Sequence, residues 1–414
     1  MVPAVLFSAG LAALSWLAVR KLLRRDGGKQ RARRVRRPAA LVSTQPDEIS
    51  IIVYNILADH YCTPKRYPYV RPEWLHWPHR WAALQEQLGT FGADLICLQE
   101  VEPSRWEQML ASPALAGYAG FIQDRRGGES LISNAILYRT DKLGLVWQES
   151  RSRALLAAFA FWDGLGQQQL LYVANLHLEG SPYRPNDRIS QTRSALQRLE
   201  AHQRQHGIDP ADAAVVVCGD FNSGRHETVC HFLHRGRLEG GTTEPHLPKV
   251  EVTKTSIAHP YALHEAYSSG GHELPFTRKV PSLASTLDFI WASCQLEVAA
   301  LYWPVECRHE GLIEHQALPN QHYPSDHLPI GAVLRMKHFY VPPFGDAHPP
   351  PPPAAGAQPD AVQEYSSGPE IDASELGLKD PGPGAAKADG GVKGKADGPG
   401  RLNKVSYPDD DRDS

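Results

Sequence analysis

The sequence is short of the features that would announce a thiolate-metal protein. Its six cysteines (62, 97, 218, 230, 294 and 307) contain no CxxC spacing and outline no zinc site. Cys97 and Cys218 fall inside apolar, strand-like runs, where a free thiol behaves as a small core residue, so a reduced compartment is expected. No internal repeat between Glu48 and Met336 marks one half of that region as a copy of the other. Charge of one sign is lacking as well. The formal net charge of −3 excludes little by itself, because the charges are unevenly placed.

A chain of 414 residues suits two average domains, or one large α/β domain with disordered ends. Composition selects the second. The stretch after residue 340, VPPFGDAHPPPPPAAGAQP, is followed by polar, Gly-rich sequence that cannot bury enough apolar surface to offset its ordering entropy. It reads as a disordered spacer. Its polyproline run would suit an SH3-type partner, but nothing selects that role. At the other end, Val2 to Val19 is free of charge and apolar or small throughout, and ten Lys/Arg with one acid, Asp26, follow between Arg20 and Arg37.

Eighteen helical residues reach roughly 27 Å, marginal for the hydrocarbon core of a bilayer. A cleaved signal peptide has its basic residues before the apolar stretch, and an import sequence intersperses arginine along an amphipathic helix. Neither fits. The positive-inside rule then favours an anchor at a membrane, or at an organelle surface, with the following domain on the cytosolic side. Organelle import is the alternative. The basic stretch would also attract RNA or anionic lipid. The chain divides into an anchor or targeting segment (1–19), a basic linker (20–47), a central domain (48–338) and a Pro/Gly-rich tail (339–414).

Within the central domain the periodicity alternates between strand and helix. Strands are expected over 48–58, 93–101, 130–139, 155–162, 169–179, 213–221, 286–292, 296–303 and 328–336. Those at 130–139 and 155–162 read as neighbours in a meander. Trp81, Leu84, Leu88 and Phe91 share a helical face. A long helix is expected from Asp187 to His206, capped by Asn186 and stopped by Gly207, and another from Ser223 to Leu233. Strand-to-strand steps are too many for a strict βαβ array, so two packed mixed sheets with helices outside are expected.

Polar groups stand where the apolar runs stop. Asn55 follows Ile51-Ile52-Val53-Tyr54, Glu100 follows Leu95 to Gln99, and Asp220 and Asn222 follow Val215 to Gly219. His177 and Asp288 are embedded in apolar runs, and Asp288 there needs a partner. Asp326 and His327 form a pair on a Pro-flanked loop. Taken singly, a strand-end Asp or Asn is more often a turn residue, and a strand histidine a hydrogen-bonded structural one. Collected, they match metal-assisted phosphoester hydrolysis. A hard cation such as Mg²⁺ takes one or two carboxylates, keeps waters and accepts substrate oxygens, and Glu100 is the best candidate ligand, with Asn55 and Asp326 beside it. Asp220 would orient or deprotonate a water, and Asn222 would hold it or a phosphoryl oxygen. His177 and His327 would donate to non-bridging oxygens, and Asp288 could fix a histidine's tautomer.

The ordered set VYNILA, LICLQEV, NLHLEGSP, VCGDFNS, TLDFIW and PSDHLPIGA resembles the endonuclease/exonuclease/phosphatase superfamily over about residues 48–337. Within it, the resemblance is to the carbon-catabolite-repressor deadenylases, nocturnin and the Angel proteins. The resemblance implies a four-layer, DNase-I-like α/β sandwich of two mixed β-sheets flanked by helices. It implies Mg²⁺, or alternatively Mn²⁺, and hydrolysis of phosphoesters in RNA or nucleotides. It places Asn55, Glu100 and Asp326 near the metal, and Asp220 and Asn222 at the nucleophile. His177 and His327 would serve the phosphate, with Asp288 pairing His327. Arg80, in His79-Arg80-Trp81, and Pro182 match substrate-side positions of the family. The deadenylases carry a phenylalanine five residues before the equivalent of Asp288; here Leu283 removes that π-face and with it the expectation of adenine preference. The leucine-rich repeats that precede the catalytic domain in one deadenylase branch are missing too.

The expected activity is a metal-dependent 3′-5′ exoribonuclease of deadenylase type. Alternatives are a nucleotide, cyclic- or 2′-phosphate phosphatase, and a membrane-associated sphingomyelinase-type phosphodiesterase. A tethered scaffold with an inactive site is disfavoured because none of Asn55, Glu100, Asp220, Asn222, Asp326 or His327 is lost.

Overall fold

The computed structural model describes residues 41–43, 45–124, 131–304 and 315–337. The expected N-terminal anchor, most of the basic linker and the Pro/Gly-rich tail lie outside these residues. Among the described residues no helix is long and apolar enough to cross a membrane.

Two six-stranded mixed sheets form the centre. Sheet 1 runs in the order β17 (Leu296–Tyr302), β18 (Ile330–Met336), β1 (Glu48–Asn55), β2 (Leu95–Val101), β4 (Ser133–Arg139) and β3 (Tyr118–Ile122). Sheet 2 runs β13 (Leu263–Glu265), β16 (Asp288–Ser293), β8 (Ala214–Asp220), β7 (Gln168–His177), β6 (Ala154–Trp162) and β5 (Gly144–Arg151). In each sheet one central pair is parallel, β1 with β2 and β7 with β8, and every other pair is antiparallel. Three short two-stranded pairs decorate the frame. They are β9 (Arg237–Leu238) with β12 (Ile257–Ala258), β10 (Thr243–Glu244) with β11 (Leu247–Glu251), and β14 (Arg278–Val280) with β15 (Leu283–Ser285).

The apolar runs that read as strands are continuous because both of their faces are covered. In β1, Ile51 and Val53 point between the sheets, against Phe159, Val173, Val216 and Ile290. Ile52 and Tyr54 point the other way and meet Leu84, Leu88 and Phe91 of α2 (Trp77–Phe91), which follows the single turn α1 (Pro72–Leu75), and Met109 of α3 (Pro103–Leu110). On the far side, Tyr172, Val215 and Val217 of sheet 2 pack on Ile189, Leu196 and Leu199 of α4 (Pro185–Gln205) and on Phe232 and Leu233 of α5 (Thr228–Arg235). The order helix, sheet, sheet, helix is the four-layer sandwich the sequence predicts.

Three local expectations are corrected. The strands near 130–139 and 155–162 are not neighbours: β4 pairs with β2 and β3, β6 with β5 and β7, because the chain crosses between sheets after Arg139. The long helix begins earlier than Asp187. Its N-cap is Arg184 with Pro185 in the first turn, where the missing N–H is harmless, and Asn186 lies inside the helix. The helix expected from Ser223 starts only at Thr228, since Ser223 Oγ instead donates to the Glu227 carboxylate across the intervening loop.

Candidate active site

Both parallel pairs deliver their carboxyl ends to one rim, where an open sheet leaves room for a ligand. Sheet 1 contributes Asn55, opposite Gln99 in register, and sheet 2 contributes His177, opposite Asp220. Asn55 joins them. Its Nδ2 donates to Glu100 Oε1 and to Asp220 Oδ2, each at 3.0 Å, while its Oδ1 accepts from Leu57 N at 3.0 Å. The Leu57 contact fixes which way the amide faces. Glu100 Oε2 accepts from Ala58 N at 3.0 Å.

The backbone here is bent to serve side chains. A bulge between Leu98 and Val101 interrupts the pairing of β2 with β4 and re-aims Glu100. Among the described residues, the non-glycine positions at positive φ are Leu57 (57°), Glu100 (58°) and Asn222 (46°), all on this rim. Such conformations cost on the order of 1–3 kcal/mol each and persist only where surrounding contacts impose them. Gly219, just before Asp220, has φ 133°, and a Cβ there would stand 1.9 Å from Leu176 O. No other residue fits between β7 and β8 at that point.

Behind the rim, Asp288 begins β16 directly opposite Asp220. Its Oδ2 lies 2.8 Å from His327 Nδ1 and accepts from Thr277 Oγ1 at 2.5 Å. Buried Oδ1 of Asp288 has no hydrogen-bond partner among the described residues. His327 Nε2 lies 3.6 Å from Asp220 Oδ2, and His177 Nε2 lies 3.8 Å from both Glu100 Oε1 and Asp220 Oδ2. Burial alone would lower the His327 pKa, but Asp288 and Asp220 override it and push it up to about 10. Burial raises the Asp220 carboxyl, and nearby Asp288 adds to this while His327 and His177 oppose it. Asn222 N donates to Asp220 Oδ1 at 2.8 Å, and its Nδ2 to Leu178 O at 3.1 Å.

Asp326 sits beside His327 but is engaged elsewhere: Arg278 Nε donates to its Oδ2 at 2.9 Å. Arg80, expected at the substrate, is fully buried. Its guanidinium donates to Pro324 O at 2.8 Å, to Ile56 O at 2.7 Å and to Leu57 O, clamping the loop after β1 to the loop before β18. Pro182 is exposed, with His246 Nε2 3.3 Å from its carbonyl. Leu283 is exposed on the β14–β15 hairpin. Residues that sequence reasoning missed include Thr277, Arg278 and Ser325, whose Oγ donates to Asn55 O at 2.7 Å. Of these only Ser325, inside PSDHLP, carried any signal.

The donor set suits a divalent cation. Glu100, Asp220 and Asp288 crowd hard carboxylate oxygens around one amide and two imidazoles, and Asp288 Oδ1 lacks a partner. Two groups of His, Asp or Glu have ligand atoms within 4.8 Å among the described residues: Asp220, Asp288 and His327, and, away from the rim, Glu227, Glu244 and His246. In the first, His327 and Asp288 are already spent on each other. Glu100, with its side chain 13% exposed, is the carboxylate better placed to hold a cation that also meets substrate.

The profile described as the Endonuclease/Exonuclease/phosphatase family matches residues 52–327. The CCR4-Not complex 3′-5′-exoribonuclease subunit Ccr4 of Candida albicans is 26% identical over 331 residues, covering 70% of this chain and 41% of that protein. Its Saccharomyces cerevisiae counterpart is 27% identical over 321 residues, covering 68% and 38%. The chain thus spans about two fifths of the length of these relatives. Among solved structures, that of ANGEL2, a 2′,3′-cyclic phosphatase, in complex with adenosine-2′,3′-vanadate shares the fold at a TM-score of 0.57. It is 23% identical, covering 70% of this chain and 96% of that one.

Proposed function

This chain belongs to the endonuclease/exonuclease/phosphatase family, and from that premise we propose that it is a Mg²⁺-dependent phosphodiesterase that shortens RNA from the 3′ end. The observation that carries the reading is the meeting of Glu100 and Asp220, one from each sheet, on the single amide of Asn55. The resemblance to relatives named as 3′-5′ exoribonucleases supports RNA as the substrate.

Glu100 would hold the cation, and the cation would supply withdrawal of charge from a phosphoryl oxygen. Asp220 takes the proton of the attacking water. Its burial keeps the carboxylate basic enough for that task, and the Asn222 N–H holds it in place. Asn222, anchored through Leu178 O, leaves its side-chain oxygen for the water. His327 stays protonated at neutral pH because Asp288 and Asp220 flank it, so Nε2 carries a proton to donate to a phosphoryl oxygen. His177, midway between Glu100 and Asp220, donates to the same phosphate. Arg80, fully buried, positions the loops. The apolar stretch 2–19 would tether the enzyme to a membrane with this domain on the cytosolic side.

The purified chain with Mg²⁺ would be assayed on 5′-labelled RNAs ending in poly(A) or in mixed sequence. Parallel reactions would use a 2′,3′-cyclic-phosphate end, free nucleotides and sphingomyelin, with Glu100→Ala as blank. Metal-dependent laddering from the 3′ end is expected, with little preference for poly(A), because Leu283 offers no ring to stack on adenine. Intact RNA with phosphate released from a nucleotide or a cyclic end, or choline phosphate from the lipid, would overturn the exoribonuclease assignment.

A further inference from the structure

Strand β14 runs beside the loop that ends in Asp326 and His327. Arg278 and His327 form an antiparallel bridge, and Lys279 N donates to Asp326 O at 3.0 Å. This brings a guanidinium to the rim of the site. Arg278 Nε donates to Asp326 Oδ2 at 2.9 Å, and no hydrogen bond from its Nη1 or Nη2 is formed among the described residues. The arginine side chain is 29% exposed, whereas that of Asp326 is 5% exposed. The phenol of buried Tyr67 lies against the same aspartate, and Asp220 is near enough to Arg278 to feel its charge.

These neighbours change what each partner can do. A carboxylate already enclosed by a guanidinium and a phenol has little left for a cation. A guanidinium held through Nε alone keeps both Nη groups, the planar fork that matches two oxygens of a phosphate. The charge balance agrees. Glu100, Asp220, Asp288 and Asp326 bring four carboxylates to the region, and Arg278 is the guanidinium set among them. A phosphodiester entering this field needs a permanent positive charge that is not consumed by the metal-holding carboxylate.

We propose that Arg278 binds a non-bridging oxygen of the substrate phosphate, and that Asp326 is a positioning residue that holds the arginine, not a ligand of the cation. The proposal rests on the phosphodiesterase reading above and adds a residue that reading does not use.

The test uses the full chain and two titrations that need no turnover: inorganic phosphate in the presence of Mg²⁺, and Mg²⁺ alone, both by isothermal titration calorimetry. Arg278→Met should weaken phosphate binding about tenfold or more while leaving Mg²⁺ affinity unchanged. Where RNA is cleaved, kcat/KM should fall about 100-fold. Arg278→Lys, which keeps the charge and loses the fork, should fall between wild type and Arg278→Met. Asp326→Asn should repeat the phosphate defect in weaker form, again with Mg²⁺ affinity unchanged. Thermal melts identify a variant that fails to fold, and Arg278→Lys then carries the test. A tenfold loss of Mg²⁺ affinity in Asp326→Asn, or unchanged phosphate binding in both arginine variants, overturns the assignment. If the wild type cleaves no RNA, the exoribonuclease reading fails, yet the two titrations still decide the role of Arg278.

Discussion

The two sheets share one pairing scheme and divide the chemistry unequally. In each, a central parallel pair is flanked by antiparallel strands, and the parallel pair ends at the rim. Sheet 1 ends there in an amide and a carboxylate, Asn55 and Glu100. Sheet 2 ends in His177, Asp220 and, through β16, Asp288. Their backs differ as well. Sheet 1 is backed by aliphatic and aromatic packing from α2, including stacked Trp77 and Trp81. Sheet 2 carries a stack of Trp147 on His202, with ring centroids 4.2 Å apart, and His206 beyond it. The same architecture can therefore hold different chemistry on each half, and the site exists only where the halves meet.

The largest effect should come from disarming either half. Glu100→Gln removes the sheet 1 charge and Asp220→Asn the sheet 2 base, and each should lower kcat by about 10³-fold or more. The double variant should be little worse than either, because the residues act as one unit. Turnover of labelled RNA measures this, and additive losses would mean the halves work independently. Parting the sheets comes next. Asn175 of β7 donates to Leu98 O at 3.0 Å and to Ala135 O at 2.9 Å in sheet 1, and accepts from Gln99 Nε2 at 2.7 Å. Asn175→Ala strands these buried groups and should cost about 3 kcal/mol in urea unfolding. A loss below about 0.5 kcal/mol, the size of a neutral surface change, would mean the seam is apolar in its energetics.

The smallest effect tests the backs of the sheets. Burial, and to a lesser degree His206, lowers the His202 pKa to about 4, so the folded state favours the neutral ring. A depressed pKa gives stability that is complete above the unfolded value, near 6.5, and is lost as pH falls towards 4. Melting temperature measured across that window should fall less in His202→Gln than in wild type. An identical acid slope in both proteins would place the sensitivity elsewhere, most simply at the rim carboxylates.

Much of this was legible in the sequence where local pattern and tertiary role coincide. β1, β2, β7 and β8 are buried on both faces and so read as unbroken apolar runs, and Asn55, Glu100 and Asp220 stood out because they end them. β3 and β5 are half-buried and mixed in character, so no run marked them. The placing of β4 and β6 in different sheets depends on a crossing that no periodicity encodes. The likeness of the sheets lies in pairing and not in sequence, which is why no repeat was visible. The loop contacts of Arg80 were illegible for the same reason: its carbonyl partners come from loops up to 244 positions away. Thr277 and Arg278 acquire their roles only when β14 is laid beside the Asp326 loop.

The left-handed backbone at Leu57, Glu100 and Asn222 has a consequence for how this protein can change over generations. Glycine adopts that conformation without the penalty a side chain pays. At Glu100 and Asn222 the backbone strain is therefore borne for side chains that build the site. A lineage freed from its chemistry would no longer be held to a side chain at Glu100 and Asn222, while an active one must keep choosing the strained residue.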